Sequence, residues 1–278
     1  MRPDPSGPGD SASDLGAFGP GRLSTTLGPR GTRLLVAALL ATLMLWNVPF
    51  GSYLLYPFKL FATWLHELSH GIAMLVLGAG VRKMEIFRDT SGLAFPERGV
   101  TALAQGAISS AGYMGTAAFG ALFLLLGQTE RGARAVLGIL GATMLATAAL
   151  FVRNGFGVGA TLVGGMVLVG VAVLATETIQ SFVLNFLAAQ ACINAVLDIR
   201  VLFGQTMLVN GQSHGQTDAH TVARVLGGPH WMWASLWLAW SFVLFYLALR
   251  RLGPKGRRSS PRLSRPQPAQ AADGSAPS

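Results

Sequence analysis

His66, Glu67 and His70 lie in the order His-Glu-x-x-His inside Phe61–Leu77, a run that is otherwise almost wholly apolar. On a helix, side chains four residues apart share a face about one turn apart, so His66 and His70 can offer two imidazoles to one metal ion. Glu67 sits about 100° round the helical wheel, where its carboxylate reaches a water beside the metal rather than the metal itself. Two imidazoles and a carboxylate are the ligand set of hydrolytic zinc sites, which keep one position for a water of pKa about 7 and polarise a carbonyl. Glu67 is then the base that takes a proton from that water and returns it to a leaving amine. The competing account is two histidines and a glutamate hydrogen-bonded between packed helices. Membrane depth argues against it, because an ionisable group there costs roughly 3 kcal/mol on insertion scales and is usually paired and functional.

The motif supplies two ligands and a base, so a third ligand must come from elsewhere. Gln190, Asn194 and Asp198 recur at spacings of four within Glu177–Phe203 and form a polar stripe on an apolar helix. Polar groups in lipid must find partners, and a stripe that ends in a carboxylate suits a cationic centre, which makes Asp198 the expected third ligand. An ion pair of Asp198 with Arg200 near the helix end is the competing reading. Residues 204–229 add His214, Asp218 and His220, with His230 just beyond. Thr217 reads as an N-cap, and the helix dipole accounts for Asp218 in the first turn of a short amphipathic helix carrying Val222, Val225 and Leu226 on one side. The three histidines of this region are expected in loops or interfaces, with Asn194, Asp218, His214 and His220 the groups that could assist the site.

The elements that must position these residues are membrane helices. Of 278 residues, 51% are hydrophobic and only 12% charged, about half the roughly 25% of soluble domains, so the chain is an all-α polytopic membrane protein. Seven apolar runs are readable: Leu34–Val48, Tyr53–Leu77, Thr101–Leu126, Ala133–Phe151, Gly155–Ala175, Glu177–Phe203 and Met232–Leu249. They predict six to seven transmembrane helices in a membrane-embedded domain over residues 32–252, between a disordered head (1–31) and a disordered basic tail (253–278). Between the second and third runs, Met84–Phe87, the Asp89–Gly92 turn signal and Leu93–Phe95 suggest a short β-hairpin. Its strand could align a substrate by edge pairing, although an ordinary connecting loop fits equally. Ser110, Gly112 and Gly115 in the third run allow a neighbouring helix to approach closely.

The excess behind the net charge of +9 is concentrated at the C-terminus, where Arg250, Arg251, Lys255, Arg257, Arg258, Arg262 and Arg265 face only Asp273. That tail has no aromatic residue, which argues against nucleic-acid binding and for a cytoplasmic C-terminus by the positive-inside rule. Seven crossings would set the basic flank of Arg22, Arg30 and Arg33 on the opposite face, so either that flank is outweighed or one run is re-entrant or merged. Cys192 is the single cysteine, so no intrachain disulfide forms.

These residues resemble the site-2 protease family of intramembrane zinc metalloproteases, in its small bacterial branch. The resemblance rests on His66-Glu67-Leu-Ser-His70-Gly71, Ser110-Ala-Gly112-Tyr113 and Leu197-Asp198-Ile-Arg200, and spans roughly Leu34 to Leu249. It implies Zn2+ held by His66, His70 and Asp198, Glu67 as the base, and membrane-embedded protein substrates cut within the lipid bilayer of the cell membrane. Tyr113 stands where the family usually has Pro, and Ile199 where it usually has Gly. No insertion is large enough for a PDZ domain. The alternative is a non-enzymatic transporter or scaffold with a structural metal site; a transporter predicts internal repeats, which the sequence lacks, and a structural zinc predicts four protein ligands.

Overall fold

The computed structural model describes residues 37, 40–42, 44–45, 47–202, 208–209, 212–213 and 216–252, and the backbone alone for residues 130, 197–202, 208–209 and 212–213. Helix α1 (Gly51–Val76) carries the His-Glu-x-x-His motif; its 26 residues span about 39 Å at a rise of 1.5 Å per residue, enough to cross a bilayer. Pro57 lies inside the helix in its second turn, where its ring withholds the N–H that an α-helix would offer to the Tyr53 carbonyl. The helix ends because Gly78 and Gly80 take φ values of +74° and +67°, which turn the chain back along α1 at no Cβ penalty.

The returning chain forms the expected hairpin. Strands β1 (Val81–Ile86) and β2 (Gly92–Pro96) pair antiparallel, from Val81 opposite Pro96 to Ile86 opposite Gly92, with a register shift between Val81 and Lys83. Two hydroxyls pin the turn to α1: Thr63 donates to the Thr90 carbonyl (2.6 Å) and Tyr56 to the Arg88 carbonyl (2.8 Å). The outer edge of β1 is closed by the segment after the fourth apolar run. Met84 N–H donates to the Phe151 carbonyl, Arg153 N–H donates to the Met84 carbonyl, and the Asn154 amide pairs with both backbone groups of Ile86. Among the described residues β2 pairs only with β1, which leaves its other edge open.

The helices that follow are α2 (Ala102–Leu126), α3 (Glu130–Leu150), α4 (Gly155–Leu174) and α5 (Glu177–Leu202). Thr101 and Thr129 cap α2 and α3 by accepting from the N–H groups of Ala104 and Gly132, as their hydroxyls favour. A short antiparallel pair, β3 (Leu208–Val209) and β4 (Gln212–Ser213), precedes the nine-residue α6 (Asp218–Leu226) and the last helix, α7 (His230–Leu252). Helices α2, α3, α4, α5 and α7 are each long and apolar enough to cross a membrane, by length and composition. With α1, and with helical positions among residues 37–47, this agrees with six to seven membrane helices.

Helix α2 lies centrally, touching α1, α5, α6 and α7. The main core joins Trp64 and Leu65 of α1 to Leu124, Leu137 and Leu184 of α2, α3 and α5, all with no solvent exposure. Trp64 donates to the Thr147 hydroxyl at 3.0 Å, satisfying an indole N–H that would otherwise be stranded in the core. Outside, the pattern is reversed from that of a soluble protein: Leu162, Val163, Met166, Val167 and Leu174 of α4 are exposed, as lipid-facing side chains are. Gln190, the first member of the polar stripe, donates to the Thr42 hydroxyl at 2.9 Å, so this end of the stripe ties α5 to the first apolar run.

Candidate metal centre

Helical spacing brings His66 and His70 together as expected: their Nε2 atoms are 3.0 Å apart, with the rings edge to face. His70 Nδ1 lies 2.7 Å from the Ile108 carbonyl of α2. A carbonyl only accepts, so Nδ1 carries the proton and Nε2 is left with its lone pair directed at the site. His66 is held differently, by the Tyr113 ring edge to face at 4.6 Å.

The carboxylate that meets this pair is Asp218. Its Oδ2 lies 3.5 Å from His66 Nε2 and 3.4 Å from His70 Nε2. Tetrahedral ligands held at about 2.0–2.1 Å from a zinc ion stand about 3.3 Å from one another. The observed spacings of 3.0, 3.4 and 3.5 Å fit that requirement, and two neutral imidazoles with one carboxylate are a fitting donor set. Among the described residues, no other group of three or more His, Cys, Asp or Glu side chains converges in this way. In the metal-free site burial alone would raise the Asp218 carboxyl, but positive charge on His70 and hydrogen bonds from His66 and His70 hold it below the ordinary carboxylate range.

Asp218 also does what the sequence predicts of it. Thr217 caps α6, accepting from the His220 N–H, and Asp218 occupies the first turn. Ala219 and Val222, on the same short helix, are fully buried with Tyr113, Ala234 and Trp237 in one apolar cluster. That anchorage presents the Asp218 carboxylate to α1.

Asp198 lies in the last turns of α5, and its side chain falls outside the described residues, as does His214. Asn194 is buried, and its Nδ2 has no hydrogen-bond partner among the described residues. His220 and His230 stack on each other at 3.9 Å and are not members of the converging group. Burial, then the His230 charge, lowers the His220 pKa.

Glu67 is buried beside the pair, 3% exposed. It faces β2 through Gly92, where an added Cβ would stand 2.7 Å from both Cγ and Oε1 of Glu67. The hairpin therefore touches Glu67 through a residue with no side chain. Gly112 plays the same part at the two imidazoles: a Cβ there would stand 2.4 Å from His66 Nε2 and 2.5 Å from His70 Nε2. The small-residue segment of α2 thus gives room to the two imidazoles as well as to a helix backbone. These groups open on a cleft of about 460 Å³, which also takes in Leu93 and Ala94 of β2 together with Arg98 and Gln105.

The sequence pattern of Peptidase M50B-like proteins matches residues 35–248, a span that contains His66, Glu67, His70 and Asp218. No curated protein and no solved structure matches the chain. With a match over most of its length and a helical membrane architecture around a His/Asp cluster, the chain belongs to the Peptidase M50B-like family, within the site-2 protease group of membrane metalloproteases.

Proposed function

We propose that the protein is a zinc-dependent intramembrane endopeptidase that hydrolyses peptide bonds of membrane-embedded protein substrates. The observation that carries the reading is the convergence of His66 Nε2, His70 Nε2 and Asp218 Oδ2 within 3.5 Å of one another, beside a buried glutamate and an open cleft. His66, His70 and Asp218 would hold the metal. When bound, zinc supplies Lewis-acid polarisation of the scissile carbonyl and a water acidic enough to lose its proton near neutral pH. Glu67 accepts that proton and delivers it to the leaving amine. Burial keeps bulk water away from the carboxylate, and Gly92 backs it from the hairpin side.

Substrate alignment falls to β2. Its free edge presents backbone groups beside Glu67, so an extended substrate segment can add to the hairpin as a further strand with its scissile bond in the cleft. The basic tail supports a multi-pass protein of the cell membrane with its C-terminus in the cytoplasm.

Glu67→Gln tests the assignment. In purified full-length protein it should leave zinc binding within about threefold of wild type while lowering peptidase kcat by at least about 100-fold, the scale of a general base. Full proteolysis by the variant would sink the mechanism.

A further inference from the structure

The two histidines that converge on the metal position are oriented by different physics. His70 is fixed by a hydrogen bond from Nδ1 to the Ile108 carbonyl. For His66 no hydrogen bond at Nδ1 is recorded among the described residues; what meets its ring is Tyr113, edge to face at 4.6 Å and 86°. Tyr113 is itself backed by Trp237 of α7, stacked at 5.4 Å and 11°. Both aromatic residues are buried, and they share one cluster with Ala219 and Val222, the residues that seat the helix of Asp218. One ring therefore meets a ligand on α1 and supports the helix that bears a second.

We propose that Tyr113 is a positioning residue of the metal centre: its ring, wedged between His66 and Trp237, sets the plane of the His66 imidazole and the seat of α6. The inference rests on the metal-binding reading of His66, His70 and Asp218. An imidazole without a hydrogen-bonded Nδ1 is free to rotate about χ2, a broad torsion, and a rotation of a few tens of degrees would carry Nε2 off the metal position. An aromatic edge packed against it removes that freedom as a carboxylate or carbonyl partner does for other ligating histidines. Tyr113 thus takes at His66 the part that the Ile108 carbonyl takes at His70.

The test uses full-length protein in detergent, with zinc affinity measured against a competing chromophoric chelator and with the absorption spectrum of the cobalt(II)-loaded form as a report of ligand geometry. Tyr113→Leu should weaken zinc about tenfold, the lower end for loss of a group that orients a ligand, and should change the cobalt spectrum. Tyr113→Phe, which keeps the ring, should keep the wild-type cobalt spectrum. Trp237→Leu, which removes only the backing, should shift the cobalt spectrum in the same direction with a smaller loss of affinity, and it serves where Tyr113→Leu does not fold. Wild-type affinity and spectrum in Tyr113→Leu and Trp237→Leu would overturn the proposal. So would a Tyr113→Phe protein with the cobalt spectrum of Tyr113→Leu, since the ring would then not be what orients the ligand. Wild-type protein that binds no zinc would instead remove the metal reading on which the proposal stands.

Discussion

Gly112→Ala should empty the metal centre while leaving the helices in place. The added methyl would lie 2.4 Å from His66 Nε2 and 2.5 Å from His70 Nε2, whereas carbon and nitrogen in van der Waals contact stand about 3.5 Å apart. Each nitrogen must therefore retreat by about 1 Å, several times the roughly 0.2 Å over which metal–ligand distances vary. Neither ring has an easy retreat, because His70 is tied to the Ile108 carbonyl and His66 abuts Tyr113. Moving α2 away instead would break that same carbonyl contact and the bond from Trp240 Nε1 to the Met114 carbonyl. We expect zinc affinity to fall by at least about 100-fold, or ~2.7 kcal/mol, with a fold penalty in the range of about 1–3 kcal/mol for one overpacked methyl. Affinity measured by chelator competition, alongside thermal unfolding of the metal-free protein, separates the two effects. Gly159→Ala is the control, since nothing lies within 4 Å of a Cβ at that position. A Gly112→Ala protein that binds zinc within about threefold of wild type would refute the placement of the ligand pair.

Two further substitutions probe the rest of the constellation. Asp218→Asn should reduce zinc affinity by about 100-fold or more, measured by the same competition, while Asp198→Asn should leave it within about threefold; the opposite result would move the third ligand to α5. Gly92→Ala would push a methyl to 2.7 Å from the Glu67 Cγ and Oε1 atoms and 2.8 Å from the Thr63 methyl. A base displaced by about 1 Å should cost kcat about 100-fold with zinc affinity kept, and unchanged turnover in steady-state peptidase assays would show that Glu67 is not held from the hairpin.

What the sequence made legible was whatever local spacing determines. The His-Glu-x-x-His repeat fixes two imidazoles on one helical face, apolar run lengths fix the membrane helices, and the turn chemistry at Asp89–Gly92 marks the hairpin; the structure has each of these. The Asn154 side chain that closes the β1 edge was not legible. It acts across 68 residues of separation, and beside Gly155 it reads only as the entrance to a helix. Gly112 was legible in part: small residues announce a close approach, but which group approaches depends on how α1 and α2 pack.

The place of Asp218 beside the two imidazoles is the clearest case, because a complete local explanation hid a distant contact. Thr217 and Asp218 form a sound helix start, and the structure confirms both the cap and the acidic first turn, so nothing in the local pattern was left to explain. The Gln190–Asn194–Asp198 stripe, by contrast, left polar groups on an apolar helix without local partners, and that need for partners drew attention to Asp198. Yet a polar stripe between membrane helices is equally well answered by other helices, as Gln190 is by Thr42. An acidic residue at a helix N-terminus keeps one carboxylate oxygen free for a cation even while it favours the dipole. The helix-start position of Asp218 is therefore compatible with its place beside the imidazoles, which depends on where Ala219, Val222, Tyr113 and Trp237 seat α6. That seating depends on contacts between α2, α6 and α7, which sequence periodicity within any one of them does not encode.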